Sequence, residues 1–157
     1  QTLLDMRERA EEEAKEAFAR ATQRLREEVD AQKKLEEELE RMVQDRLRRR
    51  EEYARKLAAG EMKVTDQAAA YRFIDRLKED EADQKGKIDS QKERVREAEK
   101  NVQKKQTALV EATRDLKALE KHREKWAKAV RRERALKEED QLDEIAQTIH
   151  RVNSRES

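Results

Sequence analysis

The chain has no cysteine, no proline and only 2 glycines among its 157 residues. Without cysteine it can form neither disulfides nor thiolate metal sites, which is compatible with a reducing cytoplasm. Without proline almost nothing interrupts a helix, and the abundant Ala, Glu, Lys, Arg, Gln and Leu favour one. No apolar run approaches the roughly 20 residues that a membrane span requires. We therefore expect a helical protein with no direct membrane insertion.

Charged residues make up 49% of the chain and hydrophobic residues 34%, whereas ordinary globular domains carry about 25% and about 45–50% respectively. This is too little apolar material for a broad core, but enough for a narrow seam between two helices. The 39 basic and 38 acidic residues balance one another. The balance argues against a disordered chain and against a general nucleic-acid binder, so we expect no nucleic-acid partner.

Two apolar stripes run along the chain and fit alternating steps of three and four residues, with polar residues at a few of the expected places. Such steps average 3.5 residues, the period of a left-handed coiled coil. Between the stripes lies a break that contains Gly60, a natural residue to follow a helix, and Thr65, a natural N-cap. The stripes comprise Phe18, Ala21, Leu25, Leu35, Leu39, Met42, Tyr53 and Leu57, then Ile74, Leu77, Ile88, Val95, Ala98, Val102, Leu109, Ala112, Leu116, Leu119, Trp126 and Val130.

This pattern predicts an all-α fold, a long antiparallel two-helix coiled-coil hairpin in a single domain, 1–157. Since the second helix is the longer one, its C-terminal part is expected to overhang beyond about Trp126. The predicted boundaries are helix 1 at about 3–59, the turn at 60–65, helix 2 at about 66–152 and a frayed tail at 153–157.

The overhang carries an apolar stripe of its own. The first register would next require apolar residues near 133, 137 and 140, but these positions hold Glu133, Lys137 and Asp140. An amphipathic stripe without a partner helix indicates a partner-binding surface; self-association is the alternative. The new stripe comprises Leu142, Ile145, Ala146, Ile149 and Val152.

Polar residues occupy several seam positions. Each costs stability but can fix the register of the two helices, and Gly86 adds a weakness of about 1 kcal/mol relative to Ala. We expect a moderately stable hairpin that bends in its middle. The polar seam residues are Glu28, Gln32, Arg46 and Arg49 in helix 1, and Glu81, Gln84, Gln91 and Lys105 in helix 2.

The residues needed for catalysis are missing from the sequence. His122 and His150 lack a metal-ligand spacing, and there is neither a glycine-rich phosphate loop nor a nucleophile with its base. The many carboxylates fit solvated helix faces better than a paired acid and base in a cleft. We expect a protein that is not an enzyme and that binds no metal and no cofactor.

Two clusters are candidate contact surfaces. Arginines 131, 132 and 134 lie where the hairpin is expected to end, and the run 46–50 is also rich in arginine; the alternative for both is a solvated face with i,i+4 ion pairs. The second cluster lies at the start of helix 2 and would either close the hairpin as a small core or expose a contact patch. It comprises Tyr71, Phe73, Ile74 and Leu77.

Four segments in this order resemble the FliJ family, the central-stalk proteins of flagellar export and of related type III secretion systems. An Asp-Glu-apolar-Ala element typical of the flagellar branch is the sharpest match. The segments are Gln1–Ala14, Tyr71–Leu77, Leu116–Trp126 and Leu142–Gln147.

The resemblance implies a two-helix coiled coil whose terminal end inserts into the hexameric export ATPase. Its turn end would contact the cytoplasmic domain of the export gate membrane protein, and it would handle free export chaperones. The protein would be cytoplasmic and peripheral to the membrane-associated export apparatus. The implied gate contacts are Tyr71, Phe73, Ile74 and Leu77, and the implied ATPase contacts are Trp126, Arg131, Arg132, Arg134, Leu142, Ile145 and Ile149.

Three alternatives stay open at this point. The first is the equivalent stalk of an injectisome, which would have the same fold and the same kinds of contact in a different secretion apparatus. The second is a generic structural coiled coil, which predicts heptads that run out of both ends. The third is a nucleic-acid clamp that uses the arginine runs and whose binding falls steeply with salt.

Overall fold

The computed structural model describes residues 2–156, and within this range it contains two long helices and no strand. The first, α1, comprises Leu3–Ala58, and the second, α2, comprises Val64–Glu156. The helices pack against each other, so the predicted all-α helical hairpin is confirmed. At its C-terminal end α2 continues through 153–156, where a frayed tail was predicted, because no proline or glycine stops the helix there. The last residue of the predicted tail, 157, lies outside the described residues.

A capping box starts α1. The backbone N–H of Asp5 donates to Thr2 Oγ1 at 3.1 Å, and the backbone N–H of Thr2 donates to Asp5 Oδ2 at 3.4 Å. The Thr2 carbonyl accepts the first helical bond, from Met6, at 3.1 Å. Two N–H groups that the helix start would leave without partners are therefore satisfied reciprocally.

Gly60 ends α1 as the sequence predicts. Its φ is +74°, in the left-handed region that side chains other than glycine disfavour. The Glu61 N–H donates to the Lys56 carbonyl at 2.9 Å, and the Gly60 N–H to the Leu57 carbonyl at 3.1 Å. These two bonds form a Schellman motif, which satisfies carbonyls at the helix end and turns the chain back.

The start of α2 differs from the prediction that Thr65 caps it. Lys63 is the residue whose carbonyl accepts the first helical bond, from Gln67, at 3.0 Å. Its own N–H donates to Asp66 Oδ2 at 3.3 Å. The Asp66 carboxylate, three residues into the helix, therefore fixes the start earlier and places Thr65 inside the first turn.

Contacts divide the chain into two compact units. One comprises Ala14–Ala108, and the other comprises the N-terminal residues up to Glu13 together with the chain from Leu109 onward. In the Ala14–Ala108 unit the buried residues of α2 begin one heptad apart, at Ile74 and Glu81, and then recur in alternating steps of three and four, as the coiled-coil period requires. They are Ile74, Glu81, Gln84, Ile88, Gln91, Val95 and Ala98, and Ala21 is the buried residue of α1.

A buried ion pair crosses the seam of this unit. Arg46 Nε donates to Glu81 Oε2 at 2.6 Å, and the two side chains are only 17% and 8% exposed. Bonding to a charged partner satisfies Glu81, whose carboxylate has little access to water. The pair therefore ties one position of α1 to one position of α2.

Two glutamines of α2 bind backbone carbonyls of α1. Gln84 Nε2 donates to the Leu35 carbonyl at 3.0 Å, and Gln91 Nε2 donates to the Glu28 carbonyl at 2.8 Å. Gln91 Nε2 also lies 2.6 Å from Glu28 Oε2. The two glutamines are one heptad apart on α2, and the two carbonyls that they bind are one heptad apart on α1, so the two contacts occupy equivalent seam positions. We call these two contacts the glutamine ladder. No buried side-chain nitrogen or oxygen in residues 2–156 lacks a hydrogen-bond partner.

The unit that contains both termini has a shorter seam. Leu116 is buried, and Arg7 Nη1 lies 3.5 Å from Asp115 Oδ2 across the two helices. Half-buried positions of α2 continue as far as Val130, and every residue from 131 to 156 is exposed. The C-terminal segment, 131–156, is therefore helical without a covering helix.

The two glycines predict stability changes of opposite sign. Gly86→Ala should stabilise the protein by about 1 kcal/mol, because Gly86 lies inside α2 and a Cβ there would meet nothing within 4 Å. Gly60→Ala should destabilise it by about 1–2 kcal/mol, because alanine is strained at positive φ. Thermal unfolding measures both, and equal effects would contradict this account of the turn.

The seam ion pair predicts a non-additive pair of substitutions. Arg46→Met should destabilise the protein by about 2–3 kcal/mol, because it leaves the Glu81 carboxylate buried without a partner. Adding Glu81→Leu should recover most of that loss, since two apolar side chains can pack in the seam.

Arg96→Met is the matched control, because it removes the exposed Arg96–Glu93 pair and should cost less than about 0.5 kcal/mol. Chemical denaturation of the parent, Arg46→Met, Glu81→Leu and the double variant measures the coupling free energy between the two side chains. Additive costs for Arg46→Met and Glu81→Leu would contradict the pairing.

Candidate docking surfaces

The four residues predicted to contact the export gate do not share one face. Ile74 is buried, and Phe73 and Leu77 are half-buried. Tyr71 is the exposed member, with 64% of its surface accessible. Part of the cluster therefore closes the hairpin, and Tyr71 is the part that a partner can reach.

Tyr71 lines a groove beside the turn, which we call the turn-end groove. Its volume is about 310 Å³. Apolar side chains of both helices form its floor, and Arg50, Asp75 and Lys78 bring charge to it. The residues that line it are Arg50, Tyr53, Ala54, Leu57, Met62, Gln67, Ala70, Tyr71, Ile74, Asp75 and Lys78.

Two guanidinium groups lie over the ring of Phe73. Arg49 Cζ is 5.1 Å from the centre of the Phe73 ring, and Arg76 Cζ is 5.7 Å from it. Both distances allow a cation–π interaction, which favours the face of an aromatic ring. Phe73 is therefore partly covered by its own chain, and the basic side chains over it would have to move before a partner could contact the ring face.

Part of the arginine run 46–50 is engaged within α1. Arg48 Nη2 and Arg49 Nε donate to the Asp45 carboxylate at 2.8 and 3.0 Å. These hydrogen bonds, that from Arg48 first, hold the pKa of Asp45 below its ordinary value. The hydrogen bond to Asp45 likewise raises the pKa of Arg49. The alternative of a solvated face with ion pairs inside one helix therefore describes Arg48 and Arg49. Arg46 lies in the seam and Arg50 lines the groove.

Trp126 is exposed although its spacing placed it in the seam. It is 66% accessible, while Ala127 and Val130 beside it are half-buried. Arg7, near the start of α1, pairs with Asp115, well before Trp126 in α2. A large aromatic side chain in water is a candidate anchor for a partner.

The C-terminal segment presents the other predicted ATPase contacts. Arg131, Arg132 and Arg134 are exposed, and no ion pair joins them to another residue of the described chain. The apolar stripe, Leu142, Ile145, Ile149 and Val152, is between 50% and 65% exposed. An apolar row of this kind on a helix without a partner marks an interaction surface.

Several features of these surfaces were not predicted from the sequence. Met62, which lies in the turn and which no helical period marks, lines the groove. Leu136 is a further exposed apolar residue, on a different face of α2 from the stripe. The hydrogen bonds between Thr2 and Asp5 could have been predicted from the sequence, because a hydroxyl residue followed three residues later by an acidic residue is typical of a helix start.

Within residues 2–156, no group of three or more potential ligands could hold a metal ion. No stretch of either described helix is long and apolar enough to cross a membrane.

Two long helices that pack against each other through a seam with polar members define a helical-hairpin protein. The YscO-like protein family matches residues 1–156, and the chain belongs to that family. Membership makes it a helical protein related to type III secretion. No curated protein and no solved structure matches the chain.

The exposure of the stripe predicts that it contributes little to folding. Leu142→Gln with Ile149→Gln should change the free energy of unfolding by less than about 0.5 kcal/mol, because neither side chain packs on another helix. Leu116→Ala is the matched control: its side chain is buried, and its loss should cost about 2–4 kcal/mol. Denaturation in dilute solution measures both. A large loss in the glutamine variant would contradict an unpartnered segment.

Proposed function

We propose that this protein is a non-enzymatic central stalk of a type III protein-export apparatus. The observation that carries the proposal is the C-terminal segment, a helix of 26 residues that the rest of the chain leaves exposed. Membership of the YscO-like family supports it, and so does the resemblance of four segments to the FliJ family. A stalk needs a stiff helical body and surfaces for its neighbours, and it needs no chemistry of its own.

The proposed ATPase contact is the terminal end of the hairpin. Trp126 and the stripe residues Leu142, Ile145 and Ile149 would enter apolar sites of the hexameric export ATPase. Arg131, Arg132 and Arg134 would meet acidic groups, which steer association and fix orientation. Burying the stripe and the indole would remove the largest exposed apolar side chains of this region from water.

The proposed export-gate contact is the turn-end groove. Tyr71 is its accessible aromatic residue, and Ile74 also lines it; Leu77, half-buried on the same helix, is a further proposed contact. Phe73 would take part only after Arg49 and Arg76 move from its ring. Export chaperones are proposed partners as well, and the protein would work in the cytoplasm, peripheral to the membrane-associated apparatus.

Two forms of the apparatus are candidates. The Asp-Glu-Ile-Ala element, 143–146, favours the flagellar export system, and the YscO-like family membership favours the equivalent stalk of an injectisome. Co-purification with one export ATPase and not the other distinguishes them, and the neighbouring genes provide an independent answer.

The ATPase contact predicts a change in hydrolysis rate. The full chain should stimulate ATP hydrolysis by the cognate export ATPase, and a truncation that ends at Trp126 should not. Leu142→Gln with Ile145→Gln and Ile149→Gln should raise the concentration for half-maximal stimulation at least about tenfold, because the apolar contacts are lost.

Leu136→Gln is the matched control, since Leu136 lies on another face of the same segment. It should leave stimulation unchanged. Stimulation that survives truncation would keep the stalk role and overturn the site, whereas no stimulation and no co-purification would favour a generic structural coiled coil.

The gate contact predicts loss of binding on removal of one ring. Tyr71→Ala should weaken binding to the cytoplasmic domain of the export gate protein about tenfold, the scale expected for an aromatic anchor. Val64→Ala is the control, because Val64 is 81% exposed and does not line the groove. Equal affinity of the two variants, measured by calorimetry, would exclude the turn-end groove as the contact.

A further inference from the structure

The apolar stripe of the C-terminal segment has borders that carry no charge. In the heptad abcdefg, Leu142 and Ile149 occupy a positions, and Ile145 and Val152 occupy d positions. Four residues border this stripe: the g residue just before each a position and the e residue just after each d position. About half of all residues in this chain are charged, yet these four are not. They are Gln141, Ala146, Thr148 and Asn153.

Around the stripe, acidic and basic residues are instead separated into two consecutive stretches of sequence. The stretch 138–144 contains five carboxylates and no basic residue, and the stretch 145–155 contains Arg151, Arg155 and His150 with no acidic one. A parallel copy would set acid against acid. An antiparallel copy sets the acidic stretch of each chain beside the basic stretch of the other, which is attractive.

The spacing of the stripe is the same when it is read in either chain direction, so it fits the stripe of an antiparallel second copy. Steps of three, four and three are symmetric on reversal, so the four apolar side chains meet in four layers. Leu142 faces Val152 of the second copy, and Ile145 faces Ile149 of the second copy. Antiparallel coiled coils pack in this way, with each position of one kind opposite a position of the other kind.

We propose that the apolar stripe is a self-recognition surface, which a second copy of this chain covers in antiparallel orientation. Four layers make a small contact, at the low end of specific interfaces. The dimer is therefore weak and depends on concentration.

This inference stands without the proposed function, but it has a consequence when the two are combined. The stripe cannot bind a second copy and the export ATPase at the same time. Self-pairing would then hold the free protein in a state that ATPase binding must displace, because each partner binds the same side chains.

The test begins with the mass of the full chain in solution. Sedimentation equilibrium from about 1 µM to about 1 mM spans the range in which weak interfaces dissociate. The mass should rise from the monomer value of 18.7 kDa toward twice that value. Leu136→Glu should dimerise as the parent does, because Leu136 is exposed on a different face. A monomer at every concentration would overturn the proposal.

Two single variants test the orientation. Ile145→Glu and Ile149→Lys should each remain monomeric, since each sets a charge against an isoleucine of the second copy. Mixed in equal amounts, they should form a heterodimer, because Glu at 145 of one chain meets Lys at 149 of the other while the remaining pair stays apolar.

A parallel pair would place 145 beside 145 and 149 beside 149, and the mixture would not associate. Circular dichroism that matches the parent shows that both variants are folded. Dimerisation that Ile145→Glu leaves intact would overturn the stripe as the surface, and a mixture that stays monomeric would overturn the antiparallel pairing.

Discussion

The register of two long helices is the constraint on which the described fold depends, and buried polar contacts fix it. The glutamine ladder alone leaves one ambiguity, because a shift by one heptad would still place Gln84 opposite a backbone carbonyl. The ion pair removes that ambiguity. After such a shift Glu81 would face Leu39 or Tyr53 instead of Arg46, and a buried carboxylate without a partner is costly. Polar seam residues thus lower the attraction between the helices while they select one alignment.

The seam also determines which side chains remain for other molecules. A narrow two-helix interface uses one row of each helix and leaves no second layer to cover what lies outside that row. In the Ala14–Ala108 unit this exposes Tyr71 beside the turn. In the unit that contains both termini it exposes Trp126 and the C-terminal stripe. Tyr71 and Trp126 lie outside the packed row, and the stripe lies in 131–156, where every residue is exposed.

Periodicity was enough to predict the fold class, the buried row of α2 and the role of Gly60, because each depends on local spacing or on backbone freedom. It was wrong for Arg49, Leu57 and Trp126, which it placed in the seam and which are exposed. It could not predict which atoms the polar seam residues bind, since Gln84 and Gln91 use backbone carbonyls that carry no sequence signal. The Thr65 cap failed because a carboxylate one residue later competes for the helix start. Helical spacing does not show that the Trp126 side chain stays exposed, and it does not mark Met62, a turn residue that lines the groove. Which partner each surface binds is a property of the other molecule.

The central claim is that the C-terminal segment is unpartnered in the free protein and is covered by the export ATPase. Hydrogen exchange of backbone amides, measured in dilute solution with and without the ATPase, tests it most directly. The account predicts fast exchange in 131–156 and slow exchange in the seam of the free protein, because local stability follows packing. On ATPase binding, 131–156 should become protected. Slow exchange of this segment in the free monomer, or exchange that the ATPase leaves unchanged there, would contradict the account.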